Sequence, residues 1–204
     1  MIRVLFADDH PLLREGIAAL LGDLPDIQLV AEAATGREAI ELFRAHRPDV
    51  TLMDLQLPDM SGVDAISVIR DEDPTARIVV LTTYGGDVQV ARALKAGARA
   101  YLLKGVPRKE VIDTIRAVHA GQKRLSAEIA AEIAEHATDD VLTGREIDVL
   151  RLVALGHANK DVAAHLYIAE DTVKGYLKNV MAKLGARDRT HAVTIALKRG
   201  IIKL

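Results

Sequence analysis

Cysteine and tryptophan are absent from this 204-residue chain, and its aromatics amount to four tyrosines and two phenylalanines. Without thiols there is neither a disulfide framework nor a thiolate metal site, which fits a reducing cytosol. No apolar run approaches the ~20 residues of a membrane-spanning helix. Met1 leads directly into Ile2-Arg-Val-Leu-Phe6, too short a stretch for a signal peptide. The expectation is a cytoplasmic protein with no membrane partner. Half of the residues are hydrophobic, enough for the core of one large domain or of two small ones.

The net charge is small, at −2, but charge is unevenly spread. Residues 1–120 carry a net −4, residues 121–140 a net −3 and residues 141–204 a net +5. Such a division points to a polyanion as the partner of the C-terminal part, although a solvated basic face has the same composition.

Residues 1–120 alternate between two periodicities. Ile2–Phe6, Ile27–Ala33, Val50–Met53, Ile78–Leu81 and Ala100–Leu103 are strand-like apolar runs. Leu12–Leu21, Arg37–His46, Val63–Arg70, Val88–Ala96 and Lys109–Ala120 place apolar residues at helical spacing. Strict βα alternation predicts a five-stranded parallel sheet covered on both faces, an α/β doubly wound domain of flavodoxin-like size.

The third run ends abruptly on Asp54, followed by a turn containing Pro58 and Gly62. Alone, that carboxylate is as well explained as a turn cap as by a site at a sheet edge. The other strand ends break the tie: Asp8-Asp9 after the first, Thr82 closing the fourth and Lys104 after the fifth. In a parallel sheet these residues converge on one edge. Three carboxylates against one ammonium call for a hard divalent cation, and Mg²⁺ suits because it takes few carboxylates and keeps its waters. An acidic cluster without an ion is the alternative. With an ion, the set suits phosphoryl transfer onto Asp54: a carboxylate nucleophile, charge neutralisation by Lys104, and a Thr82 hydroxyl for a phosphoryl oxygen.

These residues carry a resemblance. Asp8-Asp9, Asp54 with Leu57-Pro58 and Gly62, Val-Val-Leu-Thr82, Lys95-Ala-Gly97-Ala98 and Tyr101-Leu-Leu-Lys104 together resemble the receiver domain of two-component response regulators across residues 1–120. The resemblance implies that Asp54 is the phosphoacceptor and Asp9 a direct Mg²⁺ ligand. It further implies that Asp8 acts mostly through water and that the Gln56 backbone carbonyl completes the protein ligands. Thr82 and Tyr101 become a switch pair, although Tyr101 is also an ordinary core residue by type. Gln56 and Tyr84 lie two residues past Asp54 and Thr82, where bulky Tyr84 is expected to hinder attacking water and prolong the aspartyl-phosphate. Gly85-Gly86 gives the loop after the fourth strand two flexible residues.

Residues 121–140 read as a linker. Ser126 is placed to cap a helix-prone segment, Ala127–His136, whose Glu128, Glu132 and Glu135 are followed by Asp139-Asp140. This negative charge beside a basic domain permits autoinhibition by occlusion.

Residues 141–204 show only helical patterns: Gly144–Leu155, Lys160–Leu166, Glu170–Leu184 and Arg189–Lys198, with Gly156 and Gly185 as stops. Val173, Leu177, Val180 and Leu184 form a core stripe, so Lys174, Gly175 and Lys178 face away from it. The second helix, a turn at Tyr167-Ile-Ala169 and the third helix predict a helix-turn-helix in a small all-α domain. Leu142-Thr143, Arg145-Glu146, Asn159-Lys160, Thr172-Val173-Lys174, Asn179, Lys183-Leu184 and Arg189-Thr190 resemble the LuxR-type module. That resemblance implies that Lys174, Gly175 and Lys178 face bases, that Asn159, Lys160, Thr172 and Asn179 hold the DNA backbone, and that the last helix dimerises. Three departures stand out: Ala169 replaces a capping Ser, Gly144 a common Pro, and Tyr176 a frequent His.

The sequence therefore predicts a response-regulator transcription factor of the NarL/FixJ type. A sensor histidine kinase would phosphorylate Asp54 with Mg²⁺, promoting homodimerisation and binding to a two-fold site in double-stranded DNA. An aspartyl-phosphate phosphohydrolase lacks a placed general base and a substrate pocket, so the chain is expected to be a phosphoacceptor and not an enzyme. A phosphate-independent receiver would have no need of Asp8, Asp9, Thr82 and Lys104 together.

Overall fold

A computed structural model describes residues 1–83, 86–136 and 140–202, the side chains of residues 127, 128 and 132 excepted. By internal packing, residues 1–83 and 90–130 form one compact unit, and the described residues of 86–89 and 131–202 a second. No described helix is long and apolar enough to cross a membrane.

The first unit is a parallel sheet with strands β1 (Ile2–Ala7), β2 (Ile27–Ala33), β3 (Val50–Met53), β4 (Ile78–Thr82), β5 (Ala100–Leu103) and β6 (Arg124–Leu125), ordered β2-β1-β3-β4-β5-β6. Helices α1 (Pro11–Gly22), α2 (Gly36–His46), α3 (Gly62–Glu72), α4 (Asp87–Ala96) and α5 (Arg108–His119) alternate with the first five strands. β3 and β4 are buried at every position, as apolar runs covered on both faces must be. One face of the sheet packs Val4, Phe6, Leu52, Val79, Leu81 and Leu102 against Ile17 and Leu21 of α1 and Val111, Ile115 and Val118 of α5.

The sheet has six strands, not the expected five. Arg124 and Leu125 pair in parallel with Ala100 and Tyr101, and the Arg124 N–H donates to the Arg99 carbonyl at 3.0 Å. This pairing is made by tertiary register; two residues without an apolar run carry no strand signal. By internal packing the first unit takes in β6 and runs to Ala130. Ser126 caps the helix that follows, α6 (Ala127–Glu135), by accepting from the Ile129 N–H at 3.2 Å.

The second unit contains helices α7 (Gly144–Ala154), α8 (Asn159–Leu166), α9 (Glu170–Lys183) and α10 (Arg189–Lys198). Val149, Val153, Val162, Ala163, Val173 and Leu177 close the core shared by α7, α8 and α9. The start of α7 at Gly144 is closed by Thr143 and Glu146, which form a reciprocal capping box. The same Glu146 is buried and accepts from Lys183 Nζ at 2.8 Å, tying α7 to the end of α9.

Burial raises the Glu146 carboxyl, but the Lys183 and Thr143 hydrogen bonds outweigh it and hold the group below the usual carboxylate range. A depressed carboxylate pKa contributes stability that is present above the unfolded value and lost as pH falls through the folded one. The helical unit should therefore weaken below about pH 4. Lys183→Met should destabilise it by about 2 kcal/mol at neutral pH, less than for a fully buried pair because Lys183 is 24 % exposed. The check is thermal unfolding of both forms across the acid range, where the variant should show the flatter pH dependence.

Candidate phosphoacceptor site and DNA-binding surface

β1 and β3 are neighbours whose crossovers depart to opposite sides, so their carboxyl ends flank the topological switch point of the sheet. Ala7 pairs with Met53, which sets Asp8 and Asp54 level with each other. The Asp54 N–H donates to the Ala7 carbonyl at 2.9 Å, and the Asp8 N–H to the Ala33 carbonyl at 2.9 Å. Both residues are buried, at 0 % exposed for Asp8 and 1 % for Asp54.

Lys104, beyond the end of β5, reaches both carboxylates. Its Nζ lies 2.7 Å from Asp54 Oδ2 and 2.9 Å from Asp8 Oδ2. Burial pulls the ammonium pKa down, but the bonds to Asp54 and Asp8 raise it above the usual lysine value, so Lys104 is a cation throughout the neutral range. The Lys104 N–H also donates to the Thr82 carbonyl at 2.8 Å, fixing the lysine to the end of β4. Three buried oxygens at this edge have no hydrogen-bond partner among the described residues: Asp54 Oδ1, Thr82 Oγ1 and Asp8 Oδ2, the last of which is ion-paired with Lys104. Orphaned buried oxygens of this kind are costly and mark a place where a ligand completes the bonding.

The α3 side is held by close packing. The Gly62 N–H donates to the Leu55 carbonyl at 3.0 Å, and a Cβ on Gly62 would fall well inside contact distance of the Asp54 carbonyl oxygen. Glycine is thus required here by the approach of two backbones. Gln56 and Ser61 form an isolated antiparallel bridge across this loop. The Asp59 carboxylate then accepts from the Gly36 and Arg37 N–H groups at 2.7 and 3.0 Å, at the start of α2. Desolvation raises Asp59, and these donors reverse the effect, leaving it below its ordinary value.

His10 is a participant that the sequence reading passed over. Ligand atoms of Asp8, Asp9, His10 and Asp54 all lie within 4.8 Å of one another. His10 Nδ1 is 2.7 Å from Asp9 Oδ1 and 3.1 Å from Asp8 Oδ1, and Arg14 donates to the Asp8 carbonyl at 2.6 Å. The available signal was adjacency: His10 directly follows Asp9, and Arg14 stands one helical turn into α1. Tyr101 is fully buried on β5 and lines a cavity of about 190 Å³ with Val106, Ser126 and Ile129. Tyr84 and Gly85 lie outside the described residues, as does Asp139 of the linker.

On α9 the sequence-predicted contacts divide by environment. Thr172, Lys174, Gly175, Lys178 and Asn179 are exposed, opposite the buried Val173, Leu177 and Val180. Lys174 Nζ is 2.9 Å from Asp171 Oδ1 and 3.5 Å from Glu170 Oε1, so its ammonium is shared with local acids. Lys160 at the start of α8 is exposed, whereas Asn159 beside it is half-buried, its Oδ1 without a hydrogen-bond partner among the described residues. Tyr176, at the position where a His is frequent, packs towards the core of α7, α8 and α9.

Ala169 is the N-cap of α9 and offers no side-chain bond to its free N–H groups. Ala169→Ser should stabilise the helical unit by about 1 kcal/mol. Chemical denaturation read at a helical signal checks this; a midpoint below that of wild type would count against the missing cap.

Comparison with known proteins agrees with both halves. The family described as response regulator receiver domain matches residues 4–116. That described as bacterial regulatory proteins, luxR family, matches residues 140–196. The uncharacterized transcriptional regulatory protein YhcZ of Bacillus subtilis is 40 % identical, over 97 % of this chain and 96 % of its own. The response regulator protein VraR of Staphylococcus aureus is 36 % identical over 99 % of both. Among solved structures, the response regulator ChrA of a heme-sensing two-component system superposes with a TM-score of 0.59 at 33 % identity, covering 98 % of each chain. The chain therefore belongs to the response regulators that join a receiver domain to a LuxR-type helix-turn-helix, the DNA-binding transcription regulators of two-component systems.

Proposed function

We propose that Asp54 accepts a phosphoryl group from the phosphohistidine of a sensor kinase, and that this modification promotes homodimerisation and binding to a two-fold DNA site. The observation that carries the reading is the asymmetry of Asp54: Oδ2 is held by Lys104, while Oδ1 is buried and without a partner among the described residues. Oδ1 attacks phosphorus, a P–O bond forms as the donor P–N bond breaks, and the leaving imidazole takes up a proton. Lys104 stays cationic beside the equatorial oxygens and Thr82 donates its hydroxyl to one of them.

Asp8, Asp9, Asp54 and the Gln56 backbone carbonyl would hold Mg²⁺, which when bound offsets charge on the phosphoryl oxygens. The fit rests on three carboxylates, Asp8, Asp9 and Asp54, in excess of the one ammonium, with the His10 imidazole as the one nitrogen of the cluster. Self-phosphorylation from small donors and autodephosphorylation are the most that this set would catalyse. Thr82 and Tyr101 act as the switch pair, and the cavity beside Tyr101 supports a change of ring position.

On the DNA side, Lys174, Gly175 and Lys178 face the bases and Asn159, Lys160, Thr172 and Asn179 the backbone. Dimerisation uses α10, which buries Ala192 and Ala196 and leaves Thr190, Thr194 and Lys198 exposed. Two modules on one duplex bind with a linked effective concentration that a single module lacks.

The test uses full-length protein, with and without a small acyl phosphate plus Mg²⁺. Sedimentation and DNA anisotropy should report dimer formation and at least about tenfold tighter binding. A donor that changes neither overturns the phosphoswitch. Lys178→Ala should lose about tenfold in affinity for a selected site and less on unrelated duplex. Equal losses on both would make Lys178 a phosphate contact.

A further inference from the structure

Tyr167 ends α8 in the left-handed region, with φ 55° and ψ 47°, and its side chain is 95 % exposed. The backbone needs this geometry. The Tyr167 and Ile168 N–H groups donate to the Ala164 and Ala163 carbonyls, closing α8, and Ile168 turns into the core of α7, α8 and α9. Glycine or asparagine is the ordinary residue at such a closure, because a Cβ crowds the following carbonyl. Tyrosine is therefore strained here, and among the described residues its ring and hydroxyl make no hydrogen bond or ring contact that offsets the strain.

The contrast is Arg47, the other non-glycine residue at positive φ among those described. Its guanidinium lies 5.9 Å from the Phe43 ring centroid and 3.8 Å from Asp73, and its carbonyl accepts from Arg3. Arg47 uses its position within the fold, whereas Tyr167 extends into solvent.

In a helix-turn-helix the first helix crosses the phosphate backbone and the second enters the major groove. The turn between them sits at the groove edge, where tyrosine is one of the side chains that donate to phosphate oxygens. We infer that Tyr167 is a backbone-contacting residue of the DNA interface, its phenol O–H donating to a phosphate oxygen beside the groove entered by α9. The contact rests on the DNA-binding assignment of the helical unit and adds a residue that the motif does not name. Being uncharged, it releases no counterion, which gives it a signature distinct from that of a lysine.

The experiment uses full-length protein and two duplexes, one selected by wild type from a randomised library and one unrelated. Anisotropy is read over a series of salt concentrations and thermal unfolding is followed in parallel. Tyr167→Phe should weaken binding by about five- to tenfold on both duplexes while leaving the slope of log affinity against log salt unchanged. Lys160→Ala, the charged comparator, should reduce that slope by about one. Tyr167→Gly should bind at least as weakly as Tyr167→Phe yet melt no lower than wild type, because glycine accepts the left-handed turn.

Binding within twofold of wild type for both Tyr167 variants overturns the inference and leaves a protein partner as the occupant of this ring. A lower melting temperature for Tyr167→Gly also overturns it, by showing that the ring packs in the fold. Failure of wild type to select any duplex is a separate result, seen before any variant is made, and removes the DNA-binding assignment together with the contact.

Discussion

Asp54→Ala should take up no phosphoryl group from an acyl phosphate with Mg²⁺, below about a hundredth of the wild-type rate, and its DNA affinity should not respond to the donor. The reason is positional. Among the described residues Asp54 Oδ1 is buried with neither a hydrogen bond nor an ion pair, whereas Asp8 accepts through Oδ1 from the His10 N–H and is ion-paired through Oδ2 with Lys104. The exposed Asp9 lies against His10. Loss of uptake will not come from unfolding. Removing Asp54 takes away one of two buried carboxylates that share a single ammonium, leaving Lys104 and Asp8 as a balanced pair. The variant should therefore melt no lower than wild type in the absence of Mg²⁺. Mass spectrometry after donor treatment, with melting curves alongside, checks both halves of this expectation. Full phosphoryl uptake by Asp54→Ala would move the acceptor elsewhere.

Lys104→Met should slow phosphoryl uptake by about 100-fold, the usual cost of losing one preorganised donor to developing charge. Here stability should change as well. Lys104 is bonded to both Asp8 and Asp54, and without it two buried carboxylates face each other with no cation. The variant should melt below wild type without Mg²⁺ and recover more than wild type when Mg²⁺ is added. Donor uptake rates and melting curves at a series of Mg²⁺ concentrations separate the two effects. Equal Mg²⁺ responses would mean that Lys104 does not balance the acidic edge.

Much of the α/β unit was legible because its strands are continuous apolar runs that end on polar residues. Val50–Met53 followed by Asp54, and Ile78–Leu81 followed by Thr82, convey both the strand and its polar end. Once alternation makes the sheet parallel, those ends must share an edge, so Asp8, Asp54, Thr82 and Lys104 could be grouped without any distance. β6 was not legible, since Arg124-Leu125 is a strand only by virtue of the partner beside it.

The rest of the site shows where residue type stops being informative. His10 and Arg14 look like the ordinary start of a helix, and only the turn after β1 brings them to Asp8 and Asp9. Lys174 and Lys183 both lie on α9 and count equally towards its charge. The acidic neighbours of Lys174, Glu170 and Asp171, stand at spacings that signal pairing on a helix, whereas Glu146 comes to Lys183 from another helix. Charge counted along a chain does not distinguish a lysine available to DNA from one that holds two helices together.

The sixth strand also bears on how the protein can be divided. Ala100 and Tyr101 of β5 have their outer edge occupied by Arg124 and Leu125. A fragment ending at Ala120 would strip that cover and present β5 as an open strand edge, a template for a second copy to add to. A fragment ending at Ala130 keeps the edge closed and retains Ile129, which is 3 % exposed. Self-association measured on the shorter fragment would thus report an unsealed sheet, not the phosphorylation-dependent contact proposed for the intact regulator.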